Sequence, residues 1–349
     1  MTLWGEIALD GARRSVTVQR EYPAAPAEVW AALTEPERLA RWIGRYQQTA
    51  DGFRLAMGGP DADAVVDGRV LACEPERRLL VTWRFSGAGE SEAQTELEAT
   101  IATIAAAGDD RVLLTLTHRR VQAVTASVYG AGWQDVLTHL ARELGGPATP
   151  QEHDGYLGEA ADPAAFDAAL DEYRRDEAAL APATIERAGD RSAVALERLL
   201  DAPLDEVWDA LTLPDRVGRW LWPVVEWPDD PARARRLRIG DVMRLGDENV
   251  EGAVQELEIL NLQERAHLRF TWGDAAVSIR LEETDDGTLL SLVQGGVKDT
   301  FGAGRLRSAP DFAAGWHTLI DQLTLLLAGL SVPAPDRLWE AAYLVYAGE

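Results

Sequence analysis

The clearest pattern in the chain is an alternation of apolar and polar residues that occurs twice, 178 positions apart. Strict period-two alternation predicts a β-strand with one buried face. The arginine in each predicted strand is a candidate for an anion anchor in a cavity or for an ion-pair partner at a strand end, and we favour the second interpretation. The residues that share this face are Val16, Val18, Arg20 and Tyr22 in the first copy, and Val194, Leu196, Arg198 and Leu200 in the second.

Directly after each strand, the apolar positions change to helical spacing within a repeated segment. Residues 28–42 read EVWAALTEPERLARW and residues 206–220 read EVWDALTLPDRVGRW, with ten of the fifteen positions identical. The spacing predicts two short helices joined at a sharp corner in each copy. The chain is therefore an internal duplication. We expect each second helix to begin with a capping box, with these pairs: Thr34 with Glu37, and Thr212 with Asp215.

Several β-like runs follow in each copy, and a long amphipathic helix then ends it. The predicted strands cover residues 52–57, 64–73, 78–85, 95–105 and 111–121 in the first copy, and 238–246, 251–261, 265–272, 276–284 and 288–297 in the second. Each final helix carries an apolar stripe that includes Trp133 or Trp316, so we expect it to pack on the sheet. We interpret GAGW at 130–133 as the turn that begins the first of these helices.

This order of elements predicts an α+β protein with two tandem domains. A length of 349 residues agrees with that division, because single cores of this size are unusual. We expect an acidic helix near residues 163–181 to pack on the first domain. The predicted boundaries are 1–147 for the first domain, 148–190 for a linker with the acidic helix, 191–331 for the second domain and 332–349 for a helical tail.

Composition and charge narrow the possible functions. The chain has 34 basic and 58 acidic residues, a formal charge of −24 that would repel a phosphate backbone, so we expect no nucleic-acid partner. No run approaches 18 uninterrupted apolar residues and no targeting segment is evident, so we expect no membrane insertion and a cytoplasmic location. Cys73, the single cysteine, excludes an intrachain disulfide, and we expect it in the core.

The element order resembles that of the SRPBCC (START-like) superfamily. The resemblance rests on the pattern AP-x-x-EVW-x-ALT-x-P-x-x-x-x-RW and on the GW pair that opens each long helix, and it covers nearly all of both halves. It is closest to the branch named for homologues of the activator of the heat-shock-protein 90 ATPase. The resemblance implies two helix-grip domains, each a curved antiparallel sheet around its long helix with a mainly apolar cavity between them. Because this fold serves many activities, function must be argued from the site.

Tryptophan supplies the candidate ligand-binding residues. Of the twelve tryptophans, eight form four pairs between the copies, and such aromatics either line a pocket for a flat apolar ligand or close the core. We expect the tryptophans on the second short helices to lie by a cavity mouth. The predicted ligand-binding residues are Trp42, Trp83, His118 and Trp133 in the first copy, and Trp220, Trp272 and Trp316 in the second.

Catalytic candidates are few. His118 and Arg120 continue the apolar face of the last strand of the first copy, which would aim an acid–base group and a cation inwards, and Tyr129 could add a phenol. The alternative is a solvent-facing edge-strand pair. Gln294 and Gly296 stand at the corresponding positions of the second copy, so this chemistry would belong to the first copy alone. The five histidines contain no HExxH motif, and we expect no metal or cofactor.

Three functions are consistent with the sequence. The leading hypothesis is a module that binds a small hydrophobic or aromatic molecule in one or both domains, because the tryptophan-rich interior lacks an evident catalytic set. The second is a cyclase, dehydratase or hydrolase that uses the first cavity, which would require His118, Arg120 and Tyr129 to converge on one point. The third is a cochaperone-like interaction protein whose acidic surface meets a basic protein partner of unknown identity.

Overall fold

The computed structural model describes residues 4–58, 63–87, 89–104, 111–145, 160–228, 236–249, 254–298, 300–302 and 305–347. The chain divides into two compact units, Met1–Glu177 and Ala178–Glu349. The predicted boundary at 147/148 and residues 148–159 of the predicted linker lie outside the described residues, as do residue 105 and residues 251–253 of two predicted strands. The other predicted domain boundaries stay predictions.

The first unit is a sheet of ten strands with two short helices and two long ones. Its central path runs β1-β2-β10-β9-β7-β5-β4-β3, all antiparallel, with β6 and β8 also paired to β7. The strands are β1 (Gly5–Asp10), β2 (Arg13–Tyr22), β3 (Arg45–Thr49), β4 (Gly52–Ala56), β5 (Val65–Gly68), β6 (Val70–Glu74), β7 (Arg78–Gly87), β8 (Glu90–Ser91), β9 (Thr95–Ile104) and β10 (Arg111–Val121); the helices are α1 (Pro26–Thr34), α2 (Pro36–Leu39), α3 (Ala126–Glu143) and α4 (Pro163–Ala179).

The second unit repeats this arrangement with eight strands in the order β11-β12-β18-β17-β16-β15-β14-β13, beside a separate two-stranded sheet of β19 and β20. Its strands are β11 (Thr184–Ala188), β12 (Arg191–Leu200), β13 (Val224–Glu226), β14 (Val242–Leu245), β15 (Gln255–Gln263), β16 (His267–Trp272), β17 (Ala275–Thr284), β18 (Gly287–Val297), β19 (Thr300–Gly302) and β20 (Arg305–Arg307); its helices are α5 (Leu204–Thr212), α6 (Pro214–Trp220), α7 (Ala309–Leu327) and α8 (Asp336–Ala347).

The predicted α+β class with two tandem helix-grip domains is confirmed. In each unit the long helix packs on the strand that precedes the short helices: α3 lies on β2, and α7 lies on β12. The alternating positions of those strands are buried, with Val16 and Val18 at 0% exposure and Val194 at 0%. Each core is therefore enclosed between the apolar face of a sheet and the stripe of a helix, as the two periodicities require.

Every predicted strand run overlaps a strand of the structure, with two notable differences. The run 64–73 is divided at Arg69 into β5 and β6, which pair with different parts of β7. The short edge strands were not predicted, because β1 has one buried residue and β3 has none, so they lack an alternating apolar signal. Strand pairing in these segments is set by the neighbouring strand and not by their own pattern.

The predicted capping boxes are wrong. Thr34 and Thr212 are the last residues of α1 and α5, and their hydroxyls donate to the carbonyls of Trp30 at 2.8 Å and Trp208 at 2.7 Å. The following helices begin with proline, whose missing N–H needs no cap. A true capping box occurs at α7, where Ser308 and Asp311 satisfy each other's backbone amides.

The predicted start of the first long helix is also wrong. Helix α3 begins at Ala126, so the GAGW sequence lies within the helix and not in a turn before it. Gly130 has a packing role there, because a Cβ at this position would lie 2.8 Å from the ring of Tyr173 on α4. The missing side chain lets α4 approach α3 closely.

The two strand arginines hold the long helices. Arg198 pairs with Asp321 on α7 at 3.2 Å, which confirms the ion-pair interpretation for the second copy. Arg20 instead donates to the Leu137 carbonyl at 2.9 Å and to the Thr138 hydroxyl at 3.1 Å on α3, with its guanidinium over the Trp4 ring. Both arginines are therefore committed to the strand–helix contact.

Across the described segments, no helix is both long enough and apolar enough to cross a bilayer.

Candidate functional site

A tryptophan pair joins sheet to helix at the centre of the first unit. Trp83 on β7 and Trp133 on α3 are 3% and 4% exposed, and their ring centroids are 5.2 Å apart at an interplanar angle of 62°. This edge-to-face geometry is a favourable arrangement for two aromatic rings. The pair forms part of the wall of two cavities.

His118 lies beside this pair in a fully satisfied hydrogen-bond arrangement. Thr95 Oγ1 donates its hydrogen to the Trp83 carbonyl at 2.8 Å, so it accepts one from His118 Nε2 at 2.7 Å. Trp133 Nε1 donates to His118 Nδ1 at 3.2 Å. The imidazole is therefore neutral and carries its hydrogen on Nε2. Burial lowers the pKa of His118 to about 3, so the ring stays uncharged at physiological pH.

Tyr129 on α3 joins a carboxylate to the aromatic group. Its hydroxyl donates to Glu92 Oε2 at 2.6 Å, and its ring packs edge-on against His118 at 4.5 Å. Burial and the adjacent Glu92 raise the pKa of Tyr129 well above its ordinary value. The Trp83 Nε1–H lies close enough to the Tyr129 hydroxyl to offset a little of that rise, but it makes no well-formed hydrogen bond. Burial also raises the pKa of Glu92.

The structure does not bring Arg120 to this site, and the prediction that it shares an inward face with His118 is wrong. The ladder between β10 and β2 shifts register between His118 and Val121, and Arg120 adopts a φ of 60°. This bulge turns the arginine to the surface, where its backbone amide donates to Asp10. The alternative of a solvent-facing edge pair is also wrong for His118, because β10 lies between β2 and β9 and His118 is 0% exposed.

Cavity A is a space of about 220 Å³ in the first unit, and no charged residue of the described part of the chain lines it. Trp42, Trp83 and Trp133 contribute to its wall, together with strand residues such as Phe53. The Trp42 indole N–H is used by a hydrogen bond to the Ala32 carbonyl at 2.9 Å. Cys73 also lines cavity A and is exposed, so the prediction that this cysteine is a core residue is wrong. Cavity A therefore reaches the surface near the thiol.

Cavity B has a volume of about 450 Å³. It shares Trp83 and Trp133 with cavity A, but the rest of its lining is different. Two carboxylates, Glu92 and Asp135, line it, and none of the lysine, arginine or histidine residues that the structure describes does. Val128 lines this cavity and is 49% exposed, so cavity B also opens to the surface. Five aromatic residues form much of its wall: Trp83, Phe85, Tyr129, Trp133 and Phe166.

The second unit has a corresponding tryptophan pair with different neighbours. Trp272 and Trp316 are 5.0 Å apart, and the Trp316 indole N–H donates to Gln294 Oε1 at 2.6 Å, in the place of His118. Trp222 packs against Trp272 at 4.8 Å. Together with Trp339 on α8, these three tryptophans line a cavity of about 210 Å³. Trp220, the counterpart of Trp42, is 3% exposed and donates to the Ala210 carbonyl at 2.9 Å.

Sequence reasoning missed three residues of the first site. Glu92 lies in the connection between β7 and β9, which is longer than the turn between β16 and β17, so a comparison of the two copies could have identified it as an insertion. Thr95 faces Trp83 across the ladder, which requires knowledge of the strand register. Phe166 lies on α4, and no local sequence pattern indicates that it lines the same cavity as residues of α3. Within the segments that the structure describes, no group of three potential metal ligands is assembled.

Comparison with known proteins gives the family of the chain. The family profile described as "Activator of Hsp90 ATPase homolog 1-like protein" matches residues 23–145 and 201–328. No curated protein matches the sequence. Among solved structures, CalU16 from Micromonospora echinospora is 22% identical over 50% of this chain and 97% of its own, with a TM-score of 0.36.

Two further solved structures are similar. DynU16, described as a putative protein in the dynemicin biosynthetic locus, is 20% identical over 95% of this chain and 96% of its own, with a TM-score of 0.33. EF2215 from Enterococcus faecalis, of unknown function, is 16% identical over 51% of this chain and 95% of its own, with a TM-score of 0.39. Because the family profile matches two segments that together cover more than half of the sequence, the chain belongs to the activator of Hsp90 ATPase homolog 1-like family, of which it contains two tandem copies.

Proposed function

We propose that the first unit binds a small, neutral, apolar molecule in cavity A, and that an aromatic ring is the preferred shape. The observation that carries this proposal is an open space of about 220 Å³ whose lining, among the described residues, is free of charged residues. Protein interiors rarely keep such a space, and an apolar one is a poor site for water.

The polar groups around cavity A support an apolar ligand. The Trp42 indole N–H and the Thr34 hydroxyl bond to backbone carbonyls, and the Tyr46 hydroxyl donates to Gln48 at 2.6 Å. The Trp133 indole N–H is used by His118. A ligand in cavity A therefore meets mainly carbon surfaces, and its affinity would come from the removal of apolar area from water.

The volume of cavity A sets the size of the ligand. An apolar cavity of about 150 Å³ is sufficient for benzene, and cavity A is about 220 Å³. A one-ring or two-ring aromatic molecule, or the corresponding part of a larger ligand that extends past Cys73 to the surface, matches this space. Larger drug-sized ligands occupy pockets of about 300 to 1,000 Å³.

We favour binding over catalysis because the candidate acid–base groups are already committed. Both ring nitrogens of His118 have partners, and Arg120 lies at the surface. The Tyr129 hydroxyl donates to Glu92. A cyclase or hydrolase mechanism would need at least one of these groups to face a substrate with a free lone pair or hydrogen.

Cys73 supplies a direct test, because it is the single cysteine and lines cavity A. Iodoacetamide should alkylate it several-fold more slowly as naphthalene is added, and the slowing should saturate. As a matched control, the double variant Cys73→Ser, Ala188→Cys carries an exposed thiol in the second unit, whose alkylation rate should not change. An alkylation rate at Cys73 that is independent of naphthalene up to its solubility limit would overturn the proposal.

A further inference from the structure

Cavity B has the composition of a site for a positively charged group. Five aromatic side chains line it, and a cation within about 6 Å of the face of an aromatic ring is attracted electrostatically. Among the described residues no lysine, arginine or histidine lines cavity B, so the carboxylates of Glu92 and Asp135 are the charged groups of its wall. Cavity A, which shares Trp83 and Trp133, has neither carboxylate.

The two carboxylates of cavity B differ in their partners. Asp135 accepts a hydrogen bond from the Ala161 amide at 2.8 Å and lies 3.7 Å from His139. Glu92 has the Tyr129 hydroxyl as its hydrogen-bond donor, and no basic side chain of the described residues forms an ion pair with it. Burial of a carboxylate without a counter-charge is unfavourable, as the raised pKa of Glu92 also indicates. A ligand cation would supply the missing charge.

We propose that cavity B binds an organic cation, an amine or quaternary ammonium group carried on an apolar body. Glu92 pairs with the charged nitrogen, and the faces of Trp83, Tyr129 and Trp133 surround the carbon atoms next to it. The volume of about 450 Å³ is within the range of small-molecule pockets, and the opening beside Val128 provides access. This site is separate from the one proposed for cavity A, and neither proposal depends on the other.

The second unit explains why the site belongs to the first. Phe312 precedes Trp316 by four residues, as Tyr129 precedes Trp133, so the hydroxyl that holds Glu92 has no counterpart. The connection that carries Glu92 is replaced by the short turn between β16 and β17. Asp311 lines the cavity of the second unit, but its carboxylate accepts hydrogen bonds from Ser308 in the capping box of α7.

Three indole probes that differ mainly in charge provide the test with the full chain. Tryptamine is a cation, tryptophol is neutral and indole-3-acetate is an anion at neutral pH. Isothermal titration calorimetry should give a Kd for tryptamine about tenfold lower than for tryptophol, with no measurable binding of indole-3-acetate. Glu92→Gln should remove the preference for tryptamine and leave the Kd of tryptophol within about twofold.

Two controls separate this result from non-specific attraction to an acidic protein. Glu186→Gln removes the same charge from an exposed strand position of the second unit and should leave all three Kd values unchanged. Gly132→Leu should abolish tryptamine binding by filling cavity B, because a Cβ at Gly132 meets no atom within 4 Å and leucine favours a helix more than glycine.

Several outcomes would overturn the proposal, and one of them can be measured with the unaltered protein alone. Equal affinity for tryptamine and tryptophol would show that cavity B does not select a cation. A preference for tryptamine over tryptophol that persists in Glu92→Gln, or tryptamine binding that survives Gly132→Leu, would place the cation elsewhere. Because neither Glu92 nor Gly132 lines cavity A, and Cys73 does not line cavity B, failure of this proposal is distinguishable from failure of the naphthalene test.

Discussion

The two units have the same tryptophan pair and surround it differently. In the first unit Trp133 donates to His118, and in the second Trp316 donates to Gln294. Position 44 of the first copy is glycine, where a Cβ would lie 2.7 Å from the Ala56 carbonyl, whereas the corresponding Trp222 packs on Trp272. The duplicated fold therefore fixes the aromatic pair and its need for a hydrogen-bond acceptor, while the identity of the acceptor and the packing around the pair vary.

The largest expected difference between the units is their response to acid. His118 has a pKa of about 3 in the folded protein and near 6.5 when unfolded, so the unfolded state binds the extra proton as the pH falls between these values. The first unit should therefore lose on the order of 4 kcal/mol of stability between pH 6.5 and 3 through this residue. Hydrogen–deuterium exchange of β9 and β10 measures this loss, because it reports the opening of each unit separately.

The variant His118→Gln is the control for the acid response. It replaces the acceptor of the Trp133 indole N–H with glutamine, the residue type that accepts from Trp316 in the second unit. Its stability near pH 8 should be within about 1 kcal/mol of the unaltered protein, since glutamine can accept from Trp133. Its loss of stability on acidification should be smaller by the amount assigned to His118. An identical pH profile for the two proteins would contradict the assignment of a strongly lowered pKa to this buried ring.

The next comparison concerns the contact between strand arginine and helix. Asp321→Asn should destabilise the second unit by roughly 3 kcal/mol, because it leaves the Arg198 guanidinium, whose side chain is 4% exposed, without its counter-charge. Thr138→Val at the corresponding helix position should cost the first unit under about 1 kcal/mol, since Arg20 keeps the Leu137 carbonyl. Exchange measurements on β12 and β2 compare the two, and equal losses would contradict this ranking.

The fold could be predicted from the sequence because its signals are local and occur twice. Alternation in β2 and β12, the helical stripe of α3 and α7 and the repeated EVW segments each specify an element without reference to distant residues. The failures also have local causes. The bulge after His118 reverses the direction of Arg120, and a period-two pattern cannot indicate an added backbone residue.

The site was predictable only in part, because it depends on contacts between distant elements. Residue type alone was enough to select the tryptophans and Tyr129 as candidate site residues. Alignment of the two copies was enough to place Gln294 at the position that corresponds to His118. The role of Thr95 follows from its register opposite Trp83, and that of Glu92 from the path of a connecting loop. Alternation within one strand does not fix the register alone, because the register also depends on turn geometry, and the path of a loop has no periodic signal.

A smaller effect is expected when the buried indole N–H loses its acceptor. At pH 8, His118→Leu and Gln294→Leu should each destabilise their own unit by about 1 to 3 kcal/mol, because Trp133 or Trp316 is left with an unpaired buried donor. Urea unfolding with exchange measurements on each unit gives the two losses. The two losses should be similar. Leucine variants as stable as the unaltered protein would show that the acceptor is dispensable in both copies.

The smallest expected effect compares the tyrosines of the appended helices. Tyr346 on α8 accepts from the Ala183 amide at 2.8 Å, so its hydroxyl hydrogen goes to His317 Nδ1 at 2.7 Å, whereas the Tyr173 hydroxyl on α4 lies within hydrogen-bond reach of the Gly5 amide and donates to Gln134 Oε1 over a longer distance of 3.4 Å. Tyr346→Phe should therefore cost the second unit about 1 kcal/mol, and Tyr173→Phe should cost the first about half as much, because longer hydrogen bonds contribute less. Urea midpoints at constant m-value measure both. A larger loss for Tyr173→Phe would show that α4, and not α8, depends more strongly on its tyrosine hydroxyl.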